Sequence, residues 1–157
     1  MKHVISTIGY EGTTIEAFIA HLKHASINVL IDVRDIPLSR KKGFSKNQFA
    51  EALRSWGIEY VHLRGLGDPK EGREAARAGK YALFTKIFVK HLQSAAAQRD
   101  METAAELVLS HRACLMCFEA DYEMCHRNMV AKSLSEITGL TIAHLSVQDN
   151  RTGRIAA

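Results

Sequence analysis

The chain has 157 residues and a formal net charge of +4, and 46% of its residues are hydrophobic and 24% charged. These proportions are those of an ordinary globular domain, so they exclude disordered and fibrous architectures. The three cysteines, an odd number, argue against a disulfide framework, and no apolar run reaches the ~18 residues of a membrane span or forms a signal-peptide core. We therefore predict a soluble, cytoplasmic protein with no membrane partner, folded as one domain over residues 1–147 and followed by a polar tail at 148–157.

Hydrophobic periodicity divides the first half of the chain into strands and helices. Both helices start at capping boxes, Thr13 with Glu16 and Ser45 with Gln48, and Trp56 completes the apolar face of the second helix. In chain order we predict a strand at 4–8, a helix, a strand at 29–33, a loop at 34–44, a helix, a strand near the sheet edge at 58–63, and a loop with at most one helical turn at 64–80.

The second half of the chain continues this alternation. In chain order we predict an amphipathic helix around Phe84 and Phe88, a helix at about 101–110, a buried strand at 113–118, a helix ended by Gly139, and a strand at 141–145. Strands and helices that alternate at this spacing form a mostly parallel sheet covered on both faces. The predicted fold class is therefore α/β, a single three-layer domain with about five strands.

Polar and ionisable residues collect in the loops that follow four of the predicted strands. These loops share the edge of the sheet beyond the carboxyl ends of the strands, where open α/β folds bind ligands. Any one such residue is equally at home on a solvated surface, but the four loops together predict a binding cleft. The candidate ligand-binding residues are Gly9, Tyr10, Glu11, Gly12, Asp32, Arg34, Ser39, Arg40 and Arg127.

Three of these candidates, Arg34, Arg40 and Arg127, carry the guanidinium groups that bind phosphate or carboxylate through paired hydrogen bonds. We interpret them as a clamp for an anionic ligand. The alternative is a network of ion pairs on the floor of the cleft, in which Asp32 and Glu119 neutralise the arginines.

A short basic run follows the second strand. Arg40, Lys41 and Lys42 are consecutive, and the aromatic Phe44 is close to them in the chain. Such a loop either tracks the backbone of a nucleic acid, with an aromatic ring to stack on a base, or is simply solvated.

Cys125 stands at or near the first residue of the last predicted helix. There the helix dipole and free N–H groups stabilise a thiolate, and His126 and Arg127 add positive charge. Those conditions make a thiol nucleophilic near neutral pH. The alternative is a structural cysteine that packs against the sheet.

The other two cysteines lie on the fourth predicted strand. Because residues three apart on a strand point to opposite faces, Cys114 and Cys117 cannot bind one ion together, and Cys114 is interpreted as a core residue. Cys117 at the strand end is a candidate partner of Cys125, either in a redox pair or as metal ligands together with His126. We predict no cofactor, with zinc or iron at Cys117, Cys125 and His126 as the alternative.

Seven short motifs, in this order along nearly the whole chain, resemble the domain of unknown function 488 family. The resemblance implies a compact α/β domain and no particular reaction, and it implies that the family pattern concentrates on the polar positions named above. Phe118 stands where we expect a smaller residue. The motifs are Thr7–Gly12, Ile31–Arg34, Ser39–Arg40, Gly43–Ser45, Tyr60–Leu63 with Leu66–Gly67, Cys117–Glu119 and Cys125–Arg127.

The function we predict is an enzyme that binds an anionic small molecule, a nucleotide or a nucleic acid in this cleft. Cys125 is the candidate thiolate nucleophile or redox centre, His126 or His62 the acid or base, and Glu119 the residue that orients the base or an arginine. The alternatives are a non-catalytic nucleic-acid-binding module and a metalloprotein.

Overall fold

The sheet of the protein, seen in a computed structural model that describes residues 3–147, has five parallel strands. Their spatial order is β3-β2-β4-β1-β5, so the predicted edge position of the third strand is confirmed. The predicted polar tail at 148–157 lies outside the described residues. The strands are β1 (Ile5–Gly9), β2 (Val29–Asp32), β3 (Glu59–His62), β4 (Ala113–Cys117) and β5 (Ile142–His144).

Helices cover both faces of the sheet, which confirms the three-layer α/β class. One hydrophobic cluster packs α1 and α2 against one face, and a second cluster packs the other four helices against the opposite face. Among residues 3–147, no helix is long and apolar enough to cross a membrane. The helices are α1 (Ile15–His24), α2 (Lys46–Ser55), α3 (Lys70–Arg77), α4 (Tyr81–Leu92), α5 (Ala95–Ser110) and α6 (His126–Thr138).

The alternation of side chains along β4 decides which cysteines meet. Cys114 and Met116 belong to the cluster under α1 and α2, whereas Leu115 and Cys117 belong to the cluster on the other face. The prediction that Cys114 and Cys117 point to opposite faces is therefore confirmed. Cys125, at the start of α6, joins the same cluster as Cys117.

The helix caps differ in detail from the predicted capping boxes. Thr14 rather than Thr13 caps α1, because its side-chain oxygen accepts the Ala17 N–H at 3.1 Å. Ser45 does precede α2, but its hydroxyl bonds the backbone of Ser39 instead of capping the helix. These contacts hold the loop after β2 to the start of α2.

Two helices extend beyond their predicted bounds, and one predicted core residue is exposed. The segment at 64–80 contains the eight-residue helix α3, whose charged sequence has no apolar stripe to reveal it. Helix α5 begins at Ala95, well before residue 101, because Ser94 caps an alanine-rich first turn. Trp56 follows the last residue of α2 and is 59% exposed, so its assignment to the core is wrong.

The three central strands end side by side at one edge of the sheet. Gly9 at the end of β1 is paired with Cys117 at the end of β4, and Asp32 at the end of β2 lies beside Met116. Gly9 has no room for a side chain, because a Cβ atom there would overlap the carbonyl group of Glu119. The loop after β4 is thus pressed directly onto β1.

We expect Gly9→Ala to displace this loop and to lower the free energy of unfolding by about 1–3 kcal/mol, because the new methyl group has no space. Urea unfolding measures the loss. Gly57→Asn is the control: a Cβ at Gly57 meets nothing within 4 Å, and asparagine tolerates its positive φ of 76°. Equal midpoints for Gly9→Ala and the wild type would contradict the close contact.

Candidate functional site

A cleft of about 670 Å³ opens at the edge of the sheet where the strands have their carboxyl ends. This is the edge at which the polar loops after the predicted strands indicate a cleft. Its floor is formed by the ends of β1, β2 and β4, and one wall is formed by α3 and the start of α4. A cavity of this size lies within the range of roughly 300–1,000 Å³ typical of small-molecule sites.

Cys117 and Cys125 form a sulfur pair at the cleft floor, because their Sγ atoms lie within bonding distance of each other. Both residues are buried, at 1% and 3% exposure. Cys117 lines the cleft, whereas Cys125 lines a second cavity of about 720 Å³. The sequence offers Cys117 as a candidate partner of Cys125 without showing whether the two meet, and the structure brings their sulfurs together.

The Arg127 guanidinium lies against Cys117. Its Nη1 atom donates to Cys117 Sγ at 3.0 Å and also to the Glu119 carbonyl, and its Nη2 atom donates to the Ala120 carbonyl at 3.4 Å. The side chain is fully buried, and Nε finds no hydrogen-bond partner within the described part of the chain. A cation held this close stabilises a thiolate at Cys117.

Cys125 caps the N-terminus of α6, as its position in the sequence predicts. Its sulfur accepts the Arg127 N–H at 3.5 Å, and His126 Nδ1 lies 3.6 Å from the same sulfur. The other ring nitrogen of His126, Nε2, donates to the Val33 carbonyl at 2.8 Å, so in the reduced protein Nδ1 is the atom free to accept the Cys125 S–H. Burial lowers the pKa of His126 to about 4, so the ring is neutral at pH 7.

Arg34 forms the ion pair that the sequence offers as the alternative to an anion clamp. Its Nη2 lies 2.7 Å from Asp32 Oδ2, and its Nη1 donates to the Phe44 carbonyl at 2.8 Å and to the Tyr10 hydroxyl at 3.3 Å. The Tyr60 hydroxyl donates to Asp32 as well. Arg34 lines the cleft, but nearly all of its donors are used by the protein.

Two carboxyl groups of the cleft lack partners for one oxygen each. Asp68 Oδ1 and Glu119 Oε2 are buried and accept no hydrogen bond from any residue between 3 and 147. Burial raises the pKa of Asp68 to about 7, and the nearby Glu119 adds to this shift. Burial also raises the pKa of Glu119, against the opposing effect of Arg127.

The remaining predicted residues support the cleft from outside. The Glu11 carboxylate accepts the Ala120 N–H at 3.0 Å, and His62 Nε2 donates to the Arg34 carbonyl at 2.8 Å. Gly12 has a positive φ of 78° in the turn before α1. The basic run is on the loop after β2, where Arg40 and Lys42 are exposed but do not line the cleft. Of the predicted site residues, those that line the cleft are Tyr10, Arg34, Ser39, Cys117, Glu119 and His126.

The wall formed by α3 and α4 brings residues that sequence reasoning missed. Asp68, Arg73, Arg77 and Tyr81 all line the cleft, but the segment is predicted as a loop. The spacing of Arg73 and Arg77 was the available signal, since residues four apart share one face of a helix. Arg73 is held by Asp35 at 2.8 Å, whereas Arg77 makes no hydrogen bond or ion pair with any residue in the range 3–147.

The cysteine pair also bears on the metal alternative. The ligand atoms of Cys117, Glu119 and Cys125 all lie within 4.8 Å of one another, so Glu119 replaces His126 in the set that the sequence suggests. However, the Arg127 guanidinium already provides a positive charge 3.0 Å from Cys117 Sγ. A metal ion would have to bind beside that cation, so the arrangement suits thiolate stabilisation by arginine better than a metal site.

A family model described as Domain of unknown function DUF488 matches residues 14–134, most of the chain. The chain belongs to this family. The resemblance stated from the sequence motifs is therefore confirmed, and the DUF488 match spans β2, β3, β4 and the helices that build the cleft wall. No curated protein and no solved structure matches the chain significantly.

The raised pKa of Asp68 predicts a pH-dependent stability. A carboxyl whose pKa rises from 3.8 to about 7 on folding stabilises the protein below pH 4, and this contribution is lost as the pH rises through 7. The free energy of unfolding of Asp68→Asn, relative to that of the wild type, is therefore expected to rise by up to roughly 4 kcal/mol from pH 4 to pH 8, at about 1.4 kcal/mol per pKa unit. Urea unfolding of both proteins at the two pH values measures this difference.

Glu71→Gln serves as the control for this comparison, because Glu71 is an exposed carboxylate on the same helix, α3. Between pH 4 and pH 8 the stability of this variant relative to the wild type is expected to change far less, because the Glu71 side chain is exposed. An equally small change in Asp68→Asn would show that folding does not raise the pKa of Asp68.

Proposed function

We propose that this protein is a cysteine-dependent enzyme that binds an anionic small molecule in the cleft and uses Cys117 and Cys125 as its reactive thiols. The observation that carries the proposal is the contact of both sulfurs with each other and of Cys117 Sγ with the Arg127 guanidinium, at the floor of a ligand-sized cleft. We further propose a cytoplasmic location, where reducing conditions return such a pair to thiols.

The reaction that this geometry supports best is thiol–disulfide exchange. The Cys117 thiolate attacks one sulfur of a ligand disulfide and displaces the other as a thiolate. Cys125 then attacks Cys117 Sγ, its S–H proton passes to the departing ligand thiolate, and the Cys117–Cys125 disulfide forms. The ligand thus gains two electrons and leaves as one thiolate and one thiol, while the cysteine pair is oxidised to the disulfide. His126 Nδ1 orients the Cys125 S–H at 3.6 Å for this second step.

Arg77 is the residue we assign to the anionic part of the ligand. Its side chain lines the cleft and lies close enough to Glu119 to act on its charge, but no ion pair among residues 3–147 occupies it. By contrast, Arg34 and Arg127 are buried and bonded within the protein, and Arg40 lies outside the cleft lining. The concave site favours a small molecule over the nucleic-acid alternative, which would use the exposed basic run.

Alkylation of the reduced protein by iodoacetamide, with mass mapping of each cysteine, tests the thiol pair. At pH 6.5 we expect Cys117 to react at least about tenfold faster than Cys114, because Arg127 stabilises its thiolate. Cys114 is an internal control: it is fully buried on the other face of the sheet, and burial raises its pKa. A variant without the Cys125 thiol, Cys125→Ser, shows whether Cys117 reacts alone.

The variant Arg127→Met should slow the alkylation of Cys117 to near the rate of Cys114, whereas Arg127→Lys should retain part of the rate through its charge. Circular dichroism verifies that both variants are folded. If Cys117 and Cys125 react as slowly as Cys114 in the folded wild type, the cysteines are structural and the enzyme proposal is wrong.

A pair of reagents of nearly equal size tests the preference for an anion. At Cys117 we measure the ratio of the alkylation rate with iodoacetate to the rate with iodoacetamide. We expect this ratio to be about threefold higher in the wild type than in Arg77→Gln, because the guanidinium attracts the carboxylate into the cleft. Arg54→Gln is the matched control, because Arg54 is exposed on α2 at the opposite face of the sheet. A rate ratio unchanged by Arg77→Gln would remove Arg77 from the anion site.

A further inference from the structure

Asp68 and Glu119, which each have one carboxyl oxygen without a hydrogen-bond partner among residues 3–147, are not used by the thiol chemistry. Asp68 is only 7% exposed, and its Oδ1 lies so close to Gly72 that a Cβ atom there would overlap it. Glu119 Oε2 is also buried, and neither oxygen accepts a hydrogen bond from the described chain. Both residues line the cleft that contains Cys117.

A buried acceptor without a donor is unfavourable by itself, because it has lost its water without gaining a partner. Such a group is tolerated where a ligand supplies the missing donor. Asp68 and Glu119 line one cleft, and Glu119 acts on the ionisation of Asp68, so a ligand that supplies a hydrogen-bond partner to each of them fits the site.

We propose that Asp68 and Glu119 bind a planar N–C–N group of the ligand through its two neighbouring nitrogen atoms. This inference rests on the proposed function for the location of the ligand and names the part of the ligand that Arg77 does not bind. Chemically, the group is either a guanidinium or amidinium, which donates from both nitrogens, or the amino-substituted edge of a nitrogen heterocycle, which donates from its amino group and accepts at its ring nitrogen from a protonated carboxyl.

The rest of the cleft wall fits a flat group with an apolar face. Tyr81 and Phe118 line the cleft and are 44% and 46% exposed, unusually open for aromatic side chains. Phe118 is held edge-on against Tyr10, with ring centroids 5.3 Å apart. A planar ligand group that packs against either ring lies in the same cleft as the two carboxyl groups, as in other sites where an aromatic wall and a few polar groups fix the orientation of the ligand.

The charges that face the carboxyl pair come from three elements. Arg73 on α3 lowers the pKa of Asp68, while Asp35 in the loop after β2 and Glu119 in the loop after β4 raise it. Arg73, which is bound to Asp35 at 2.8 Å, acts on the Asp68 pKa more strongly than either carboxylate, but burial outweighs it and the pKa stays raised.

Glu119 is surrounded in a similar way. Arg127 on α6 and Arg77 on α3 favour its ionised form, and burial and Glu11 oppose it. Asp68, whose pKa is about 7, therefore changes its protonation in the neutral range, so it adds a second acceptor beside Glu119 at high pH and a donor at lower pH.

Calorimetric titration of the reduced protein with two matched pairs of probes tests the proposal. One pair is para-guanidinobenzoate and benzoate, and the other is adenosine monophosphate and ribose phosphate; each pair shares its anion and differs in the N–C–N group. We expect the N–C–N member of at least one pair to bind at least about tenfold more tightly than its partner, because hydrogen bonds to charged acceptors are strong.

The pH dependence distinguishes the two sources. A guanidinium gains affinity between pH 6 and pH 8 as Asp68 ionises, whereas an adenine edge loses affinity because its ring nitrogen needs a protonated carboxyl as donor. In Asp68→Ala, which removes both the donor and the acceptor, this gain over the partner probe should fall at least about fivefold. The control Glu71→Ala removes an exposed carboxylate on α3 and should leave the gain unchanged.

A gain that persists in both Asp68→Ala and Glu119→Ala, or equal affinities within each pair of probes, would overturn the proposal. Asp68→Ala is expected to fold, since it removes a buried carboxyl that has an unpartnered oxygen among residues 3–147, and thermal unfolding verifies this. Because calorimetry reads binding without thiol chemistry and alkylation reads the thiols without a ligand, either proposal can fail while the other stands.

Discussion

The buried guanidinium of Arg127 fixes the arrangement on which the rest of the site depends. It is the largest fully buried side chain, and it joins the first turn of α6 to the end of β4 and to the loop that follows. Burying a cation is expensive unless hydrogen bonds replace its water, and here two loop carbonyls and the Cys117 sulfur do so. One side chain therefore sets the conformation of the loop, the position of the sulfur pair and the charge beside it. Gly9 completes the constraint from the other side, because only a residue without a side chain lets the loop lie against β1.

The two buried arginines at this edge of the sheet have different partners and therefore different chemical consequences. Arg34 is paired with the Asp32 carboxylate, so its charge is neutralised and the pair acts as a rigid floor with Tyr10, Tyr60 and the Phe44 carbonyl. Arg127 forms no ion pair with any residue in the described range, and its partners are neutral carbonyls and a sulfur. Its positive charge is accordingly available to an anion that forms nearby. Reactivity is thus expected at the sulfur beside Arg127, while the floor beside Arg34 provides shape.

The architecture and half of the site follow from the sequence because they depend on local patterns. Continuous apolar runs revealed the buried strands, and the period of two along β4 sent Cys114 and Cys117 to opposite faces. The prediction is wrong where a helix lacks an apolar stripe. Helix α3 buries little more than Gly72 and Ala75, so the pattern predicts a loop where the structure has the wall that carries Arg73 and Arg77. The assignment of Trp56 to the core is wrong for the opposite reason: its spacing fits the apolar face of α2, but the helix ends one residue earlier and the side chain is exposed. The choice between Arg34 as a clamp and Arg34 as an ion pair required knowledge of which carboxylate it meets, and spacing alone does not contain that information.

The carboxyl pair and the sulfur pair share one cation, which couples recognition to chemistry. Arg127 favours the ionised form of Glu119 and also contacts Cys117 Sγ at 3.0 Å. A Glu119 carboxylate therefore reduces the stabilisation that Arg127 gives to a Cys117 thiolate, and the thiolate reduces the stabilisation of the carboxylate. Burial keeps the pKa of Glu119 raised, and a protonated Glu119 leaves the guanidinium to the thiolate. A ligand group that donates N–H bonds to Glu119 favours the ionised form of Glu119. Unless the ligand is itself cationic, this carboxylate then competes with the Cys117 thiolate for the charge of Arg127. A cationic N–C–N group would bring its own charge to Glu119 and leave Arg127 to Cys117, so among the two ligand classes the guanidinium type is the one that preserves the thiolate when it binds.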